Sequence, residues 1–179
     1  MANDDSDEKV LVRLANSLTD EELEQVAALE RELFPENLRD DLEFIRASFG
    51  HPETVTVIAY CPEGRVAGYI SSLPHNDVSD ALKAHDPEFS GNSDALYLQS
   101  IAVRPDLQGQ GYFSKLMKKF LEGAGERTVT MHARISNNCS VGMQKYGAEY
   151  VRSVSDWFGT GEVFDYLEIR TLRKSFSGD

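Results

Sequence analysis

Gln108-Gly109-Gln110-Gly111-Tyr112-Phe113-Ser114 brings two glycines, two carboxamides and two hydroxyls into one short stretch. Such a stretch suits a phosphate-bearing ligand if a helix begins within it. The first turn of a helix leaves backbone N–H groups without partners, and the helix macrodipole puts positive potential there. Glycines remove the Cβ atoms that would hold a phosphate oxygen away. Ser114 adds a hydroxyl donor. The plainer reading is that the glycines only permit a tight turn. A dinucleotide fingerprint would place a third glycine where Ser114 stands, and a P-loop would need a Gly-Lys-Ser or Gly-Lys-Thr that is absent.

The elements around this turn follow from pattern. Ala95 to Val103 is a nearly continuous apolar run, as expected for a central strand buried on both faces. After Arg104 to Leu107, a helix puts Phe113, Leu116, Met117, Phe120 and Leu121 on one face and Lys115, Lys118 and Lys119 off it; Gly123 and Gly125 stop it. Upstream, Val10 to Leu14 suggests a first strand. Thr19 and Glu22 form a capping box, stapled by Leu18 and Leu23, for a helix that Pro35 ends. Asn37 is the expected cap of a second helix, with Leu38, Leu42, Ile45 and Phe49 on one face and Gly50 as its stop. Residues 54–73 read as an antiparallel hairpin turning at Pro62-Glu63-Gly64. Residues 74–94 are polar and acidic and interrupt the pattern, either as a lid over an acceptor site or as a passive insertion. Strand 128–133, helix 137–146 and strands 150–154 and 163–172 complete the chain.

The composition excludes several classes of function. The chain has 179 residues, 41% of them hydrophobic, and a formal net charge of -12. This suits one domain over residues 9–173, with the insertion at 74–94 and tails at 1–8 and 174–179. The acidity argues against nucleic acid or an anionic membrane as partner, and mildly favours a cationic or amine substrate. Cys61 and Cys139 are isolated, and no Cys/His cluster has metal-ligand spacing, so no metal is expected. The polar start and the lack of a long apolar run point to a cytoplasmic protein.

Ile101-Ala102-Val103-Arg104-Pro105-Asp106-Leu107-Gln108-Gly109-Gln110-Gly111 resembles the signature of the GCN5-related N-acetyltransferases. Their acyl-CoA motif, Gln/Arg-x-x-Gly-x-Gly/Ala, is matched from Gln108 through Gly111, and Phe113 departs from its last position. The order of elements over residues 10–172 is also this family's. The resemblance implies an α/β (α+β) fold with a mixed, mostly antiparallel central sheet flanked by helices. It implies acetyl-CoA as co-substrate. The backbone of Ile101, Ala102 and Val103 would pair with the pantetheine arm, and Gln108 to Ser114 would hold the pyrophosphate. Asn137 and Ser140 resemble the Asn-x-x-Ala/Ser element that reaches CoA; an ordinary helix cap is the alternative for Asn137. The implied reaction moves an acetyl group to a primary amine of a small molecule or peptide, by direct attack through a tetrahedral intermediate. A CoA-binding sensor or interaction module without activity is the competing expectation, and the chain is a monomer or a homodimer.

Acetyl transfer needs a neutral amine. A lysine amine is neutral in roughly one molecule in 2,500 at pH 7, and an α-amine in about one in ten. A general base therefore helps, and a backbone N–H at a bulge in the central strand would stabilise the oxyanion. Many family members carry a carboxylate near position 99, where this chain has Gln99 and Ser100. Gln99 stands as a candidate by position, although it cannot be a base. Asp94, Glu30 and Glu32 could act through water, and each also reads as a surface carboxylate. The family's tyrosine acid aligns with Gln144 or Met143, so Tyr146 is the nearby substitute, with a core role as its alternative. His132 is expected to be structural.

Overall fold

The computed structural model describes residues 10–170. The tails assigned to 1–8 and 174–179, and the end of the last strand at Leu172, lie outside the described residues. The strands are β1 (Leu11–Leu14), β2 (Val57–Tyr60), β3 (Val66–Pro74), β4 (Ala95–Val103), β5 (Thr128–Arg134), β6 (Ala148–Val154) and β7 (Phe164–Ile169). The helices are α1 (Asp20–Leu33), α2 (Leu42–Gly50), α3 (His75–Lys83), α4 (Tyr112–Ala124) and α5 (Cys139–Gln144). Hydrogen bonding orders the strands β1-β2-β3-β4-β5-β7-β6. The β4–β5 pair is parallel, while the β1–β2, β2–β3, β5–β7 and β6–β7 pairs are antiparallel. This is the mixed, mostly antiparallel sheet expected from the sequence.

The described chain gathers into two compact units. One holds residues 10–73 and 98–123; the other holds 74–97 and 124–170. Strand β4 contributes Ala95–Tyr97 to the second unit and Leu98–Val103 to the first.

In the first unit, α1 starts as the sequence dictates. The Thr19 hydroxyl accepts from the Glu22 N–H at 3.2 Å, and the Glu22 carboxylate accepts from the Thr19 N–H at 2.8 Å. Leu23, Val26, Ala27 and Leu29 of α1 pack with Ile45 and Phe49 of α2, Ile58 of β2 and Tyr69 of β3. The second helix begins later than expected. Asn37 falls in a short 3-10 turn, Glu36–Leu38, and Asp41 caps α2 by accepting from the Phe44 N–H at 2.8 Å. Asp41 outcompetes Asn37 because its carboxylate meets an N–H of the first turn. Gly68 lets β3 approach β4: a Cβ there would lie 2.5 Å from the Ala102 carbonyl oxygen, which only glycine avoids.

In the second unit, β5 pairs with β7 from Val129↔Ile169 to Arg134↔Phe164, and β6 covers the other edge of β7. The 74–94 segment is well packed. Its helix α3 buries His75, Val78, Ser79 and Leu82, and Phe89 beyond it is buried against the His75 ring at 4.4 Å. The helix expected over 137–146 is shorter, since α5 begins only at Cys139. Asn138 takes a left-handed conformation (φ 59°), and Asn137 accepts from the Cys139 N–H at 3.1 Å, so the chain turns there before it coils.

Candidate active site

The glycine turn lies in the first unit, between the short 3-10 turn Pro105–Leu107 that follows β4 and the start of α4. Side chains pin its entry. Gln108 donates to the Val103 carbonyl at 3.1 Å, and Gln110 donates to the Asp106 carbonyl at 3.0 Å. Arg104 holds the Asp106 carboxylate, which keeps that carboxyl below its usual range through the hydrogen bond. Gly109 and Gly111 have φ of 79° and 84°, a conformation other residues reach at a cost of about 1–2 kcal/mol. A Cβ at either would enter open space rather than meet protein. The Gly111 carbonyl accepts from the Lys115 N–H at 3.1 Å and so begins α4. Tyr112, Leu116, Met117 and Phe120 bury one face of that helix, which fixes the direction of its N-terminus; Phe113 is half-buried and Ser114 exposed. Open space beside a glycine pair at a helix start fits a diphosphate.

The β4 residues just before Ile101 face a second feature. Gln99 donates to Oδ1 of Asp40 at 3.3 Å, and the Ser100 hydroxyl to its Oδ2 at 3.4 Å. Successive strand residues ordinarily point to opposite faces, yet these two reach one carboxylate. The Asp40 N–H donates to Oε2 of Glu30 at 3.3 Å, and the Tyr69 hydroxyl donates to Glu30 Oε1. Glu30 is only 1% exposed, while Asp40 is half-buried. Burial raises the Glu30 carboxyl against the opposing hydrogen bond from Tyr69. Burial, then the Glu30 charge, pushes Asp40 up to about 7. The Glu30 charge thus disfavours a second negative charge on Asp40 and helps keep the Asp40 carboxyl protonated to higher pH.

The other carboxylates weighed from the sequence, Glu32 and Asp94, are exposed. Asp40 escaped notice because its partners Gln99 and Ser100 lie 59 and 60 residues away. Glu30 carried a legible signal: it continues the Leu23, Val26, Ala27 stripe of α1, where a charged residue needs an explanation.

The remaining candidates belong to the second unit. Ser140 is buried and donates to the Asp165 carboxylate at 2.6 Å. Asn137 is exposed and holds the turn before α5; Tyr146 is half-buried. The His132 side chain is fully enclosed and stacks on Trp157 at 3.7 Å. Burial pushes it down to about 4, against the pull of Asp86, so it is neutral at pH 7. A carboxylate only accepts, so Nε2 donates to Asp86 at 3.1 Å and Nδ1 accepts from the Tyr97 hydroxyl at 3.0 Å. Arg152 grips the same carboxylate with two nitrogens. Asp86 thereby ties the 74–94 segment to β5 and β6. Among the described residues no group of side chains is placed to hold a metal ion, and no helix is long and apolar enough to cross a membrane.

The acetyltransferase (GNAT) family model matches residues 18–148. Among solved structures, the ribosomal-protein-S18-alanine N-acetyltransferase of Escherichia coli superposes with a TM-score of 0.67 at 15% identity, covering 94% of this chain and 99% of that one. Arabidopsis thaliana NAA60 in complex with acetyl-CoA gives 0.68 at 16%, over 90% and 98%. The GphF GNAT-like decarboxylase in complex with isobutyryl-CoA gives 0.65 at 16%, over 89% and 98%. At such identities the likeness is one of fold. No curated protein matches the chain by sequence.

Proposed function

The chain belongs to the acetyltransferase (GNAT) family, and from that premise we propose that it transfers an acetyl group from acetyl-CoA to a primary amine of a small molecule or peptide. The observation that carries this reading is the β4–turn–α4 junction. Gly109 and Gly111 sit there at positive φ, with open space beside both and a helix start behind them. Acetyl-CoA would supply an activated thioester, whose acyl carbon accepts a nucleophile without further activation. The chain's own residues do the rest. The backbone of Ile101, Ala102 and Val103 aligns the pantetheine arm as an added strand would. Gln108 to Ser114 hold the diphosphate with main-chain donors and the Ser114 hydroxyl. Asn137 and Ser140 are assigned to the same co-substrate by their resemblance to the family's later helix. The acidic surface, with its net charge of -12, draws a protonated amine toward the protein.

Release of free CoA thiol from acetyl-CoA tests the proposal. The assay uses a panel of short peptides with free amino termini, Nα-acetyl-lysine amide and spermidine. Amine-dependent release by at least one member is expected. Binding of acetyl-CoA without amine-dependent release would support a CoA-binding module instead.

A further inference from the structure

We infer that Asp40 is the general base that takes the proton from the acceptor amine, with Glu30 behind it as a positioning residue and Tyr69, Gln99 and Ser100 fixing the pair. The inference rests on the acetyltransferase reading and supplies a group that β4 itself lacks. It stands on geometry. Asp40 touches β4 at Gln99 and Ser100, immediately before the Ile101 to Val103 stretch assigned to the pantetheine arm. Of the two carboxyls, only Asp40 keeps surface in contact with solvent; Glu30 is sealed behind it and bonded to Tyr69.

The groups that face Asp40 explain its titration. From α1 comes the Glu30 charge, which raises it together with burial. From β4 come the Gln99 and Ser100 donors, which lower it, and its neighbour Asp41 raises it further. From β3, Tyr69 is itself raised far above its ordinary range by burial and by Glu30, so it stays protonated and donates. Arg39, whose guanidinium donates to the Phe34 carbonyl at 2.6 Å, acts on Glu30 and opposes the raising of its carboxyl. A base with a pKa near the working pH is unprotonated in about half of the molecules and still basic enough to take the proton.

Asp40 accepts one proton from the ammonium, directly or through one water, and leaves the nitrogen lone pair free. That pair forms the C–N bond to the acyl carbon, and the C–S bond breaks with its electrons on sulfur. The second nitrogen proton passes through water to the CoA sulfur, and Asp40 returns its proton to solvent. The sum is one ammonium and one thioester giving one amide, one thiol and one proton.

The test compares wild type, Asp40→Asn and Glu30→Gln with acetyl-CoA and an amine from the panel that wild type acetylates. Wild-type kcat/KM should rise with pH through about 7. Asp40→Asn should lose about 100-fold or more in kcat/KM while acetyl-CoA still raises its melting temperature. Glu30→Gln removes the charge that raises Asp40, so its rising limb should move to lower pH by on the order of one unit. Infrared titration gives a readout independent of turnover: a protonated carboxyl band should vanish near pH 7 in wild type and be missing in Asp40→Asn. A wild type that acetylates amines with no limb and no carboxyl titration between pH 6 and 8 would overturn the inference, even if Asp40→Asn fails to fold. So would an Asp40→Asn that keeps its rate. Absence of amine-dependent release in wild type would instead bring down the acetyltransferase reading, and this inference with it.

Discussion

At the scale of single residues, Asp40 and Asp86 respond to pH in opposite ways. Asp40 has a folded pKa near 7, above its unfolded value, so the folded state favours its protonated form. Its contribution to stability is therefore complete at acid pH and is lost as pH rises through about 7. Urea unfolding should show wild type weakening from about pH 4 to about pH 7, and Asp40→Asn should flatten that slope and be the more stable protein at pH 8. Asp86 runs the other way. Burial alone would raise it, but hydrogen bonds from Arg152 and His132 outweigh burial and hold it below the usual carboxylate range. Its contribution is present at neutral pH and is lost only as pH falls below about 4. Arg152→Ala leaves Asp86 buried beside a neutral His132, and should cost about 3–5 kcal/mol in unfolding measurements at pH 7. Asp86→Asn keeps the shape but gives up the ion pair, and should remove the loss below about pH 4, while the loss carried by buried His132 between about pH 6.5 and 4 remains.

Elements were legible in the sequence wherever local chemistry decides them. The Thr19–Glu22 box forms as read, and Thr19→Ala should cost about 1 kcal/mol in thermal unfolding. The β4 run and the amphipathic α4 also appear at their expected places, because continuous and 3.6-period apolar patterns are strong signals. Boundaries failed where two caps compete, as Asn37 and Asp41 do before α2, and where a left-handed residue delays a helix, as Asn138 delays α5. The glycine turn was legible by composition. Its structural requirement, positive φ at both glycines, gives a direct prediction: Gly111→Asp brings a negative charge to the turn, and acetyl-CoA should no longer raise the melting temperature. The carboxyl pair was half legible. Glu30 stands on the α1 stripe, but Asp40 acquires its role only from partners far along the chain, which no local pattern announces.

At the scale of the molecule, the fold leaves the reaction to particular residues. A transferase of amines and a GNAT-like decarboxylase superpose on this chain almost equally well, so architecture alone does not choose between them. A neutralising base beside β4 is what an amine acceptor demands, and Asp40 with Glu30 meets that demand by burial and mutual repulsion rather than by a carboxylate on the strand itself. Acyl transfer to nitrogen is therefore the expected outcome of turnover. The most direct measurement follows the acetyl group. Acetyl-CoA labelled with heavy carbon in its acetyl moiety is incubated with the protein and the amine panel, and the products are separated and weighed by mass spectrometry. Acetyl transfer to nitrogen places the label in an N-acetylated amine, with free CoA formed in equal amount. Label that stays on CoA, or that appears only as acetate, would contradict it.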